Sequence, residues 1–318
     1  MTEAEEETLD PQDWSAMREL AHQIVDDAFT YLEAVRERPA WQDIPTDVVQ
    51  ALQTSVPLEP QGPERAYQDF KTQVMPYPMG NIHPRFWAWY MGNGTIMGAL
   101  GDFLAAVTNS NMAGANHAGM LVEGQVVGWC KEMIGFPPEA SGLMVSGASM
   151  ANLIGLAVAR NVQAGADIRS EGMAAVPQPL VFYSSTEVHS CHQKAAELMR
   201  LGSQALRKIP VGRDYKIDIA ALADAVTADR ESDYKPFCVV GNAGTVNTGA
   251  VDDLSALAEL CEQENLWFHV DGAIGGLLPL SPKLKPLVAG IERADSVALD
   301  FHKWLHVPFE AGMALVRN

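Results

Sequence analysis

Basic residues are scarce: 22 Lys and Arg stand against 40 Asp and Glu, a formal net charge of -18. Nucleic acid and anionic membrane are held by clustered cations that neutralise phosphates, so neither partner is expected. Cysteine is sparse too. Cys130, Cys191, Cys238 and Cys261 lie far apart and form no CxxC pair, which leaves no disulfide framework and no cysteine-built metal site. Four reduced, mostly buried thiols in a cytoplasmic protein without a resident metal are expected instead. No stretch of the chain reaches the roughly 20 apolar residues that span a bilayer. The acidic start, Met1 to Asp10, is unlike a signal or transit peptide. Internal repeats and low-complexity tracts are missing, as are the Walker loop and the GxGxxG fingerprint.

What remains is an ordinary globular composition, 47% hydrophobic and 19% charged, in a chain long enough to bury a substantial core. Asp10-Pro11 has the character of a helix start, a capping side chain followed by proline. Trp14, Met17, Ala21, Ile24, Val25, Ala28, Phe29, Leu32 and Val35 then recur at helical spacing. They predict one long amphipathic helix that ends before Pro39. The proline-rich stretch 44–84 reads as a connecting arm, so residues 1–84 form an N-terminal helical and arm segment.

Beyond it, in residues 85–318, short apolar runs alternate with helical stretches. Strands are expected at 142–146, 180–184, 205–211, 237–242, 266–271, 296–299 and 312–316, with helices at 149–162, 190–201, 219–227 and 254–265. This alternation predicts an α/β domain with a mainly parallel seven-stranded sheet. Ligands of such sheets gather where strand ends meet helix starts.

Five segments at such junctions carry chemistry. Ser296-Val-Ala-Leu-Asp-Phe-His-Lys-Trp304 runs from a strand into a turn bearing Asp300, His302 and Lys303. A lysine after a strand is usually a solvated surface residue. Here His302 and Trp304 flank it, a bulky setting that desolvates an amine and suits a Schiff-base lysine. Leu266-Trp-Phe-His-Val-Asp271-Gly-Ala273 is a strand ending in a carboxylate, which fits a metal ligand, a ribose binder, a turn former or the partner of a pyridine nitrogen. Ser146-Gly147-Ala148-Ser149 leads into a helix, and its small residues let backbone N–H groups approach one phosphate; an ordinary helix start has the same form. His189 and His192 open another helix. A single imidazole on a flat cofactor is a better reading of His189 than a metal, and His192 is expected on the helix surface. Gly241 to Gly249 ends a strand in small and hydroxylated residues around Thr245, which is also what an ordinary turn contains.

In order and spacing these pieces resemble the group II pyridoxal 5′-phosphate (PLP)-dependent amino-acid decarboxylases, over nearly the whole chain from Trp14 to Arg317. Leu32-Glu-Ala-Val-Arg-Glu-Arg-Pro39, His83-Pro-Arg-Phe-Trp87, Glu123 to Trp129 and the Asp300-Phe-His-Lys-Trp304 turn all contribute. The resemblance implies the large domain of the aspartate-aminotransferase fold (fold type I), PLP as cofactor, and decarboxylation of an L-amino acid to its amine. It implies that Lys303 is the Schiff-base lysine, that Asp271 pairs with the pyridine nitrogen, and that His189 and Ala273 flank the ring. Gly147, Ala148 and Ser149 are implied as phosphate binders, with Ser296 and Asp300 closing the same site. Thr245 is implied near the ring hydroxyl and His302 beside the lysine. His83, Phe86 and Trp87 lie in a segment that borders the substrate pocket in relatives, which suggests an aromatic or bulky apolar substrate; Arg85 suggests an acidic one. A homodimer with the active site at the subunit interface is implied as well.

Phe301 stands where many members have proline, and Val246 where many have a second threonine. Relatives also continue past the position of Asn318 with a mobile loop, whose tyrosine protonates the substrate carbon, and a small C-terminal domain, so this chain is expected to lack both. Other fold-type I reactions, transamination or aldehyde-forming oxidative deamination, and an inactive PLP-binding fragment are the alternatives.

Overall fold

Asp13, rather than Asp10, starts the first helix. Its carboxylate accepts hydrogen bonds from Ser15 N (2.7 Å) and Ala16 N (3.1 Å) at the start of α1, Trp14–Glu33. Pro11 therefore precedes the helix and is not in its first turn. The computed structural model describes residues 8, 10–112, 114 and 116–317, divided into two compact units, Met1–Trp89 and Tyr90–Asn318.

In the first unit α1 is followed by α2, Thr46–Ala51, and α3, Pro63–Gln73. The stretch expected to be a plain arm thus carries two helices. One of them is tied to α1: Asp27 accepts from the Tyr67 hydroxyl (2.6 Å) and the Lys71 ammonium (2.7 Å), and the Lys71 and Tyr67 bonds hold its carboxyl below the usual range. Leu20 is the one buried residue of α1, whereas Trp14, Ile24, Val25, Phe29 and Leu32 are exposed.

The second unit begins with α4, Ile96–Thr108, and α5, Ala118–Ile134. Thereafter strands and helices alternate: β1 Ser141–Val145, α6 Ala148–Gln163, α7 Ile168–Glu171, β2 Leu180–Ser185, α8 Cys191–Leu198, β3 Leu206–Ile209, α9 Ile219–Glu231, β4 Lys235–Asn242, α10 Leu254–Glu264, β5 Trp267–Gly272, β6 Ser296–Asp300, α11 Phe301–Trp304 and β7 Gly312–Val316. The seven strands form one sheet in the order β1-β7-β6-β5-β4-β2-β3. Neighbours from β6 through β3 pair in parallel; β7 runs against both β6 and β1. The reversal follows from the connection 301–311, which is too short for the crossover that a parallel neighbour needs. All residues of β5 and β6 are buried, as expected of parallel strands covered on both faces. The expected seven strands are all present, and the sheet is mainly parallel.

Two antiparallel pairings in succession give β1 the same direction as β6. The ends of β1, β4, β5 and β6 therefore share one edge of the sheet. Over that edge lies α6, whose buried face is Ala148, Ala151, Asn152, Gly155, Leu156 and Ala159. Mostly small side chains let the helix lie close to the strands. No helix among the described residues is long and apolar enough to cross a membrane.

Candidate active site

Asp271 is the penultimate residue of β5 and stands in register between Asn242 of β4 and Ala298 of β6. It is 7% exposed. Its Oδ1 accepts from the Ala273 backbone N–H (3.1 Å), and its Oδ2 accepts from the Asn152 side-chain amide (3.1 Å). On the other side of Oδ2 lies His192 Nε2, at 3.7 Å. A buried carboxylate held this way has fixed acceptor oxygens and no rotational freedom to lose on meeting a cation.

One strand over, Asp300 ends β6 and the chain turns at once into α11, which carries His302 and Lys303. Lys303 Nζ is 3.4 Å from Asp300 Oδ2. Its side chain is 22% exposed, so His302 and Trp304 enclose it only in part. The Ala311 N–H donates to His302 Nδ1 (3.2 Å). That leaves the ring proton on Nε2, which is 2.8 Å from Asp300 Oδ1 but out of line for a hydrogen bond; Oδ1 has no hydrogen-bond partner among the described residues. Burial pushes the Asp300 carboxyl up despite Lys303 and His302, and pushes the His302 imidazole down despite Asp300.

The start of α6 completes the cluster. Its N-cap, Gly147, offers no side-chain cap, and Asp300 Oδ2 accepts a long 3.4 Å bond from Ala148 N. Space is tight here: a Cβ on Gly147 would lie 2.9 Å from His302 Cε1, and one on Gly312 would lie 2.5 Å from Gly147 Cα. Glycine at both positions lets backbone approach backbone. Gly147 and Ala148 are buried and Ser149 is exposed. The segment after Trp89 lies against the lysine turn: the Tyr90 and Trp304 rings meet at 5.9 Å, and Gly92 has no room for a side chain beside the His302 carbonyl. Sequence reasoning had no signal for that contact.

His189 precedes α8 with an exposed ring, crowded on one side, where burial outweighs the Asp271 charge and lowers its pKa. Its Nδ1 accepts from Cys191 N (3.2 Å). Thr245 is buried in the loop after β4, with Oγ1 2.7 Å from Thr248 Oγ1. Ala273 is half-buried, directly after β5.

Two expectations need correction. Ser296 is not part of the cluster: it begins β6, about 13 Å of strand from Asp300, and its hydroxyl bonds Trp267 Nε1 (2.8 Å) and His269 Nδ1 (2.7 Å). His192 is no surface residue. Its side chain is fully buried, facing Asp271. Two residues went unnoticed in the sequence, Asn152 and His269. Asn152 lies one helical turn after Ala148, and His269 lies two strand positions before Asp271, so each shares a face with a residue already singled out. In the first unit His83 is buried, Phe86 is half-buried and Trp87 is 90% exposed.

The donor set has a definite chemical character. It offers an amine, a buried carboxylate, an exposed imidazole and an uncapped helix start with backbone N–H groups for an anion. These residues fit PLP, whose aldehyde, ring nitrogen and phosphate match amine, carboxylate and helix start.

Residues 45–318 match the family model described as the pyridoxal-dependent decarboxylase conserved domain. The chain belongs to that family. It is 35% identical over 307 residues to an aromatic-L-amino-acid decarboxylase of Bacillus atrophaeus, covering 95% of this chain and 62% of the relative. Against a phenylacetaldehyde synthase of Arabidopsis thaliana it is 28% identical over 323 residues, 98% of this chain and 64% of the relative. Among solved structures, Oryza sativa TDC with PLP and tryptamine superposes with a TM-score of 0.87 at 26% identity, over 98% of this chain and 66% of that one. The chain thus spans somewhat less than two thirds of the length of these family members.

Proposed function

We propose that the whole protein is a PLP-dependent carboxy-lyase that converts an aromatic L-amino acid to its amine and CO2. The observation that carries this reading is the placement of the Lys303 amine and the Asp271 carboxylate after adjacent parallel strands, beside the uncapped start of α6. When bound, PLP supplies an aldehyde that bonds amines and a protonated ring that accepts the electron pair left by departing CO2. Lys303 would supply the amine that meets that aldehyde, positioned beside Asp300. Asp271 keeps the proton on the ring nitrogen, as an opposite charge favours the cationic form. His189 covers one ring face, and Ala273 leaves the other unobstructed. Gly147, Ala148 and Ser149 would take the phosphate, with Asp300 closing the same site beside Ala148 N, and Thr245 would serve the ring hydroxyl. His302, tied to the Ala311 N–H through Nδ1, would keep the lysine turn in place.

The aromatic substrate class draws support from the Bacillus atrophaeus and Oryza sativa relatives. His83, Phe86 and Trp87 are proposed to border the substrate. The test is a screen of the full-length, PLP-loaded enzyme over the common L-amino acids for CO2 and amine. Turnover of phenylalanine, tyrosine or tryptophan is expected; turnover confined to glutamate or aspartate would sink the aromatic reading and make Arg85 the residue of interest. The Arabidopsis thaliana relative favours a second reading, aldehyde-forming oxidative deamination. An aldehyde in place of the amine in the same screen establishes it.

A homodimer is proposed too. Helix α4 is apolar around its circumference yet buries no residue, with Phe103, Leu104 and Val107 each at least 60% exposed; α1 leaves its apolar stripe open in the same way. Contiguous surface of this kind marks an interface. Sedimentation of the full-length protein at micromolar concentration is expected to give a dimer, and a single monomeric species would rule it out.

A further inference from the structure

Behind Asp271 runs a line of buried polar groups whose donors all point one way. Trp267 Nε1–H donates to Ser296 Oγ (2.8 Å). An indole nitrogen can only donate, so the Ser296 hydroxyl hydrogen stays available to donate onward to His269 Nδ1 (2.7 Å). His269 then carries its single proton on Nε2 and donates to Asn152 Oδ1 (2.8 Å). The Asn152 amide nitrogen in turn donates to Asp271 Oδ2 (3.1 Å). From the carboxylate end the directions agree: Asp271 Oδ2 accepts from the Asn152 amide nitrogen, which leaves the Asn152 oxygen to accept from His269 Nε2 and His269 Nδ1 to accept from Ser296.

Other features protect this arrangement. Burial pushes the His269 pKa down to about 3, so the ring carries a single proton. Gly155 on α6 makes room for it: a Cβ there would lie 2.5 Å from His269 Cε1. His192 and Cys191 seal the far side of Asn152 and Asp271. Cys191 Sγ is 3.7 Å from the Asn152 amide nitrogen and, raised to about 12 by burial, stays a neutral thiol. His192 Nε2 faces Oδ2 at 3.7 Å and makes no hydrogen bond; its Nδ1 lies 3.2 Å from the His189 carbonyl, where it donates. Among the described residues, Asn152 is therefore the one donor that Oδ2 has. The ionisable groups around this oxygen are His192, Cys191 and His189 from the α8 segment and His269 from β5.

We propose that Asn152 and His269 are positioning residues for the cofactor ring: the line Trp267–Ser296–His269–Asn152 holds the Asp271 carboxyl correctly aimed at the ring nitrogen, so that this nitrogen keeps its proton. The proposal rests on the reading of Asp271 as the partner of that nitrogen. Both residues are buried behind Asp271 and act through the orientation of its carboxyl.

The experiment uses the full-length holoenzyme loaded with PLP labelled with 15N in the ring, because the 15N shift reports protonation of that nitrogen directly. In the parent protein the nitrogen is expected to stay protonated into the alkaline range. Asn152→Ala is expected to move its titration down by about one pH unit and to weaken PLP binding roughly tenfold, the scale of one hydrogen bond to a charged group. His269→Leu, which breaks the line one link earlier, should give a shift in the same direction. His269→Gln keeps an N–H that reaches Asn152 and should restore most of the parental titration. If the parent nitrogen is protonated and both Asn152→Ala and His269→Leu, with parental melting curves, titrate like it, the positioning line is overturned and the role of Asp271 stands. If the parent nitrogen is itself unprotonated, the role of Asp271 falls and the line falls with it.

Discussion

Lys303→Ala is expected to reduce decarboxylation by the full-length enzyme by at least about 10^3-fold, the scale on which losing a reacting group is felt. The Nζ amine sits on a four-residue helix directly after β6, within 3.4 Å of Asp300, and alanine leaves nothing there to bond the cofactor aldehyde. The fold should survive, because a side chain only partly buried on a short turn contributes little to the core. PLP is expected to remain bound non-covalently, held by the start of α6 and by Asp271, and added methylamine should return part of the activity by supplying the missing amine. Borohydride reduction of the parent protein followed by peptide mapping is the direct check. A label on any lysine other than Lys303 would remove the assignment, whatever the activity of the variant.

Asp271→Asn should lose activity on a similar scale, about 10^2- to 10^4-fold, for a different reason. The amide has the shape of the carboxylate, and its oxygen can still accept from Asn152, so the melting temperature should change little. It carries no charge, however, and cannot hold a proton on a pyridine nitrogen. Comparing kcat/KM with the melting curve for parent and variant separates the two effects. Near-parental turnover by a folded Asp271→Asn protein would show that the carboxylate has another task.

Much of the site was legible along the chain because its members stand at element ends, where residue type and position are locally set. Asp271 and Lys303 each follow an apolar run that reads as a strand, and Gly147 to Ser149 sits between a strand and a helix. What failed did so for identifiable reasons. Asp10-Pro11 has the right residue types for a helix start, but Asp13 lies next to the first helical residue and its carboxylate reaches Ser15 N and Ala16 N. His192 has a polar side chain near the start of a helix, which reads as surface; the face it occupies turns inward over β5. Ser296 resembles a phosphate-binding serine by type, yet it begins the strand whose other end carries the site, and its hydroxyl is committed to Trp267 and His269.

The sequence by itself determined the strand and helix alternation and the mainly parallel sense of the sheet, since periodicity and turn chemistry act over a few residues. Only the tertiary structure decided which polar groups meet. Asn152 bonds Asp271 across 119 positions of chain, His269 bonds Asn152 across 117, and Ala148 reaches Asp300 across 152. Those pairings depend on the order of strands in the sheet and on how closely α6 lies over β5 and β6. Both are settled by packing whole elements together, which local spacing does not record.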